Sequence, residues 1–210
     1  MIFILFVATQ IAIFDEYQHR MSANLMTKEN IQRILANYKT PSIDLVDLLA
    51  PYIQFRQYKR KDVLLPYGSS TRTLRFIFQG NVVAFGSDKT IQSLWTKDEF
   101  IIFPDTILTG APSDVQIMCA TPTDTYEIDL RRLQHLRRRF REVEVFCDLF
   151  LTHELRRRSS YLNWLKCTSR AKRVEDFAQH YRELNNVLTD QQKAEYMDMS
   201  LRWFQKLKNP

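Results

Sequence analysis

Residues 58–85 read YKRKDVLLPYGSSTRTLRFIFQGNVVAF, and this run decides the fold. Short apolar stretches (Val63-Leu64-Leu65, Leu74 to Phe78, Asn81 to Phe85) are cut by Gly68 and Gly80. That is the punctuation of short strands joined by turns. Ile91 to Trp95, Val115 to Ala120 and Thr125 to Ile128 continue the pattern, separated by Gly86-Ser87-Asp88 and Pro122. All four glycines of the chain (68, 80, 86 and 110) lie here, where tight turns need backbone angles other residues avoid. Many short strands of this kind predict a sandwich or a rolled barrel.

On either side the pattern turns helical. Residues 21–50 place Ile31, Ile34 and Leu35 on one face after a cap at Thr27, and Ser42 caps a second short helix through Leu49. From Arg131 onward there is no glycine and no strand signal. A long helix is expected over about 141–166, with Val143, Phe146, Phe150, Tyr161 and Trp164 near helical spacing. Ser169 caps a helix through Leu184, Thr189 begins a shorter one through Met199, and Ser200 begins the last.

With 45% hydrophobic and 26% charged residues, the 210-residue chain has the composition of a folded soluble protein. Its net charge of +6 is compatible with nucleic acid. Cys119, Cys147 and Cys167 are odd in number and far apart, which fits reduced thiols in a cytoplasmic protein and no cysteine-held cluster. The apolar run Met1 to Phe14 is shorter than the roughly 20 residues of a membrane helix and has no basic segment before it, so no membrane association is expected. Residues 1–20 are read as an extension from a start placed too early, with Met21 or Met26 as the beginning; the other reading is a hydrophobic arm.

The order helical lead-in, β-roll, long helix and small terminal helices resembles a Crp/Fnr-type transcription regulator. The residues that carry the resemblance are Lys59 to Leu65, Gly68, and Phe76-Ile77-Phe78-Gln79-Gly80-Asn81-Val82, followed by Trp95, Glu99, Phe100 and Ile101, and the tail Leu188 to Lys208. It covers about residues 43–208 and looks closest to the degenerate members common in Bacteroidetes-type bacteria. The resemblance implies an α+β chain: a double-stranded β-helix (a jelly-roll-like β-roll), a long dimerisation helix and a small helix-turn-helix domain. The expected boundaries are 21–135 for the cyclic-nucleotide-binding-like roll with its N-terminal helices, 136–167 for the dimerisation helix and 168–210 for the DNA-binding domain. The implied partners are DNA and a second copy of the chain.

In the tail, Thr189 and Gln192 have the spacing of a capping box, Ala194 is small where a second helix must approach, and Met197, Met199 and Phe204 can close a small core. The expected DNA-binding residues are Ser200, Leu201, Arg202, Gln205, Lys206 and Lys208. Arg and Gln reach guanine and adenine edges bidentately, while Ser200 and Lys208 suit phosphate. Asp198 stands where the family has a turn glycine, and Trp203 is expected to pack on Phe177 or Tyr181.

A cyclic-nucleotide site needs a glycine turn, a carboxylate for the ribose and an arginine for the phosphate. The matching ligand-pocket positions are Asp98, Glu99, Phe100, Pro112 and Ser113. Glu99 keeps the carboxylate, but Asp98 occupies the glycine position and Pro112 the arginine position, and no cation lies between Lys97 and Arg131. The expectation is no binding of cyclic AMP; an effector, if there is one, is a different small molecule, or the pocket is filled by Phe100, Ile102 and Phe103. His19, His135, His153 and His180 all lie outside the β zone, so a cupin-like metal site has no ligands, and no catalytic residues, metal or cofactor are expected. The arginine runs at 131–132, 137–141 and 156–158 read as solvated faces and ion pairs with Glu142, Glu144 and Glu154. The competing reading is an interaction module: a ligand-free β-roll dimer with a vestigial C-terminal domain.

Overall fold

The computed structural model describes residues 28–36 and 43–208; the Met1 to Phe14 run and the caps expected at Thr27 and Ser42 lie outside these. The chain divides between Tyr52 and Ile53 into two units. In the first, α1 (residues 28–36) buries Ile31, Ile34 and Leu35, and α2 (Ile43–Leu49) buries Leu45, Val46 and Leu49. Lys28 Nζ meets Asp47 Oδ1 at 2.7 Å, and a 3₁₀ turn, Ala50–Tyr52, follows α2.

The second unit holds eight strands: β1 (Ile53–Tyr58), β2 (Val63–Leu65), β3 (Thr73–Gln79), β4 (Val82–Gly86), β5 (Ile91–Trp95), β6 (Phe100–Ile101), β7 (Val115–Cys119) and β8 (Thr123–Asp129). They form two four-stranded antiparallel sheets, ordered β1-β8-β3-β6 and β2-β7-β4-β5. Together they make the expected β-roll. The β3–β4 turn requires glycine at position 80: its φ is +97°, and an added Cβ would sit 2.3 Å from the carbonyl oxygen of Pro122. Between β6 and β7 lies α3 (Pro104–Thr109), ended by Gly110 in the left-handed conformation.

The roll interior is closed by Leu65, Ile77, Val82, Ala84, Trp95 and Ile117 among others. β4 is apolar on both faces: Val82 and Ala84 point inward, while Val83 and Phe85 belong to a second core. Ile91 and Leu94, three residues apart, join that same core; the register shift between Ala84 and Phe85 in the β4–β5 pairing re-aims the strand so that both do so.

Asp129 begins α4 (Leu130–Arg137) by accepting from the backbone N–H groups of Arg131 and Arg132. The long helix α5 (Arg141–Cys167) follows, within a residue of its expected bounds. Four helices complete the chain: α6 (Arg170–His180), α7 (Arg182–Val187), α8 (Asp190–Tyr196) and α9 (Leu201–Lys208). The single helix expected from 169 to 184 is broken at Tyr181, whose φ/ψ of −115°/48° is not helical. Phe177, Leu184, Ala194, Met197 and Phe204 pack with Val83, Ile91 and Leu94 of the roll, so the C-terminal helices share a core with β4 and β5.

The aromatic residues of α5 are placed differently from the expectation. Val143, Phe146 and Phe150 are buried, and Phe146 and Phe150 lie against Phe100 of the roll at 5.9 and 5.6 Å. Tyr161 stacks on Tyr196 at 4.9 Å, and Trp164 Nε1 donates to Asp176 Oδ2 at 3.1 Å. These five residues find their partners within their own chain and give no reason for a dimer.

Candidate nucleic-acid interface and sensor cavity

The tail forms a capped helix, a tight turn and a second helix. Thr189 Oγ1 accepts from Gln192 N at 3.2 Å while Gln192 Oε1 accepts from Thr189 N at 2.9 Å, completing the capping box. At the far end of α8, Asp198 N donates to Glu195 O and Met199 N to Ala194 O, both at 3.0 Å. This is a Schellman turn with Asp198 in the left-handed position, φ +50°, where glycine is usual. Aspartate tolerates that conformation better than most side chains, so the turn is kept.

Ser200 starts α9, its Oγ accepting from Trp203 N at 3.3 Å. Phe204 is buried, and Arg202, Gln205 and Lys206 are exposed on the side opposite it. At 100° per residue these three span about 100° of the helix surface. The other expected contact residues part from them. Leu201 is half-buried; Ser200 lies in a groove with Arg170 and Thr90 to Gln92; Lys208 Nζ is held by both oxygens of Asp190 at 3.0 Å. Lys193 and Lys208 hold the Asp190 carboxyl below its ordinary pKa. Trp203 does not pack inward as expected: it is 45% exposed, with Arg170 and Lys206 over its ring at 5.7 and 5.3 Å. Arg170 was not anticipated as a neighbour of this surface, because a single exposed arginine at a helix start carries no sequence signal.

The residues expected to form the ligand pocket are engaged with their own chain or exposed. Asp98 occupies its turn with φ +69°. Phe100 is buried against α5, Pro112 is exposed and supplies no N–H, and the hydroxyl of Ser113 is spent on Val115 O at 2.9 Å. Of the side chains expected to fill the interior, Phe103 does so, edge-on to Trp95 at 5.4 Å. Glu99 accepts from Thr96 N at 2.6 Å and Thr96 Oγ1 at 3.3 Å; burial raises its pKa, opposed by Thr96 and by Arg157.

Arg157 is the residue that local sequence reading missed. It reaches from α5 to the roll, donating to Leu94 O and Ser93 Oγ at 2.9 Å and lying over the Trp95 ring at 5.3 Å. Glu154, 2% exposed, pairs with it and with Arg158 at 2.8–2.9 Å. Burial works against the charge of Arg157, but Glu154 and Glu99 hold its pKa above the ordinary value. Arg137 with Asp148 and Arg141 with Glu144 are further ion pairs among the arginine runs.

A cavity of about 590 Å³ lies beyond this network, bounded by Glu99 of the roll and by α5, α6 and α8. It shares only Glu99 with the cassette. Among the described residues no cluster of His, Cys, Asp and Glu could hold a metal, and no helix is long and apolar enough to cross a membrane.

No protein-family model and no curated protein matches the chain. Solved structures do. A protein from Eubacterium rectale assigned to the Crp/Fnr family of transcriptional regulators has a TM-score of 0.61 at 11% identity, covering 81% of this chain and 85% of its own. The c-di-GMP-responsive global regulator CLP of Xanthomonas campestris scores 0.57 at 14% identity, covering 79% and 89%. A cyclic nucleotide-binding domain from Methylobacillus flagellatus scores 0.57 at 23% identity, covering 68% and 84%. The chain therefore has the Crp/Fnr-type fold, a cyclic-nucleotide-binding-like roll followed by a long helix and a helical C-terminal region. The proteins it matches are regulatory and binding proteins.

Proposed function

We propose that this chain is a DNA-binding transcription regulator that works as a homodimer and does not take cyclic AMP or cyclic GMP. The observation that carries the reading is the open arc of Arg202, Gln205 and Lys206 on a capped helix that follows a tight turn, the arrangement in which a recognition helix enters the major groove. Trp203 and Arg170 flank it, and Lys208 contributes positive charge already shared with Asp190.

The dimer is assigned to a different face of α5 from the one its aromatic residues suggested. Leu151, Leu155, Leu162 and Leu165 fall on one 4-3 heptad seam, interrupted by Arg158. Leu155 is 60% and Leu162 52% exposed, and pairing two such helices covers them. Against a cyclic nucleotide stand Asp98 and Pro112 in the cassette and the Trp95–Phe103 pair inside the roll. Calorimetry giving a micromolar or tighter dissociation constant for either nucleotide contradicts that part.

Selection of genomic fragments by the purified protein tests the whole. Specific sites typically win over random DNA by about 10³ or more, and that is the expected result. An advantage below about tenfold rejects the regulator and leaves the interaction-module reading.

A further inference from the structure

We propose that the cavity between α5 and the C-terminal helices is a binding site for a planar aromatic carboxylate. The inference deepens the regulator reading by naming the chemistry of an effector, but the binding itself is read without DNA.

The volume, about 590 Å³, lies within the range of small-molecule pockets, roughly 300–1,000 Å³. Its inner wall is aromatic: Tyr161, Trp164, Phe177, Tyr181 and Tyr196. Two of these have their polar ends tied inside the protein. The Tyr161 hydroxyl donates to Tyr196 O at 2.7 Å and the Trp164 indole to Asp176 at 3.1 Å, so what they offer is ring surface. Planar ligands stack on such surface in offset or edge-on geometry.

The charge sits on one line of α5. His153, Arg156 and Ser160 line the cavity at spacings of three and four, hence on one side of the helix. Arg156 makes no hydrogen bond, ion pair or ring contact among the described residues, whereas its neighbours Arg157 and Arg158 are both held by Glu154. The two acids of the cavity are otherwise engaged: Asp176 takes Trp164 and Lys172, and Glu99 takes Thr96. Across from α5, His180 donates from Nδ1 to Asp176 O at 2.8 Å. A carboxylate is therefore met by one free guanidinium, which can bind both its oxygens, and by the Ser160 hydroxyl. A phosphate dianion would need a second free cation, and the cavity has none among its arginines. The walls come from both sides of the α5–α6 junction at Thr168–Ser169, so an occupant touches the roll, the long helix and the C-terminal helices at once.

The test is calorimetry of the full chain with 2-naphthoate and its uncharged isostere 2-naphthamide. Naphthoate should bind about tenfold or more tightly than naphthamide. Arg156→Gln should bring naphthoate down to the level of the amide and leave the amide unchanged. Ser160→Trp, which puts an indole into the cavity, should remove both while the circular dichroism stays that of the parent. Equal affinities for acid and amide overturn the proposal. So does naphthoate binding that ignores Arg156→Gln or survives Ser160→Trp in the folded variant, and so does absence of heat from both probes at millimolar concentration. A chain that binds naphthoate as described yet selects no DNA keeps the site and loses the regulator.

Discussion

Removing the Glu154 carboxylate should unlatch α5 from the roll. Its side chain is 2% exposed and makes three charge-assisted hydrogen bonds of 2.8–2.9 Å, two to Arg157 and one to Arg158. Arg158 is 44% exposed, so its share is at most about 1 kcal/mol. Arg157 is 18% exposed and would keep Leu94 O, Ser93 Oγ and the Trp95 ring, but would lose its hydrogen-bonded counter-charge and retain only the attraction of Glu99. Breaking one side of a buried pair costs about 3–5 kcal/mol. Glu154→Ala is therefore expected to lose about 3–4 kcal/mol in urea unfolding, with a fall in Tm of roughly 6–16 °C for a chain of this size. Arg157→Ala should cost a similar amount. In the double variant the two losses should fall short of their sum by about 1–3 kcal/mol, because each single variant already abolishes the same contact. A Glu154→Ala loss below about 1 kcal/mol, or strict additivity, refutes the reasoning.

Leu155→Glu with Leu162→Glu should convert the dimer to a monomer in sedimentation at tens of micromolar; an unchanged mass, or a monomeric parent, removes the heptad seam from the account. Burial raises the Glu99 pKa in the fold, so its contribution to stability is full below the unfolded value of about 4.3 and is lost as pH rises through the folded value. Glu99→Gln should consequently gain on the parent between about pH 4 and neutrality, and a gap independent of pH counts against the buried carboxylate. Burial also pushes the Cys119 thiol up to about 11 and Cys147 to about 12, while Cys167 is exposed. At pH 8 a thiol reagent should label Cys167 rapidly and the other two only on unfolding; fast labelling of either buried thiol contradicts the packing.

The sequence carried much of this architecture. Turn glycines marked off the strands, and Ile91–Trp95 was bounded correctly after the Gly86-Ser87-Asp88 turn. The Thr189–Gln192 capping box is local chemistry and formed as expected. Asp98 and Asp198 stand in left-handed turns because the backbone there demands it, whichever residue is supplied. β1 was not legible: Gln54 to Gln57 are all exposed, so IQFRQY has no buried alternation to betray a strand. β6, two residues long, has no pattern to read. Periodicity also told which side of α5 was apolar but not what would cover it, and the cover turned out to be Phe100 and Tyr196 of the same chain. The Arg157–Leu94 contact joins residues 63 apart in sequence, and no local reading of an arginine run finds it.

The most direct test of the account is the binding of Arg202→Ala to DNA. The parent and the variant are titrated against the fragment that wins selection and against a scrambled duplex, each at two salt concentrations. If the open side of α9 reads bases, Arg202→Ala loses about 1–3 kcal/mol on the selected fragment, equivalent to roughly 5–150-fold, and much less on the scrambled one. The salt dependence should stay close to that of the parent, since a base contact is lost more than a phosphate contact. Equal losses on both duplexes, or no loss on either, would contradict α9 as the reading helix.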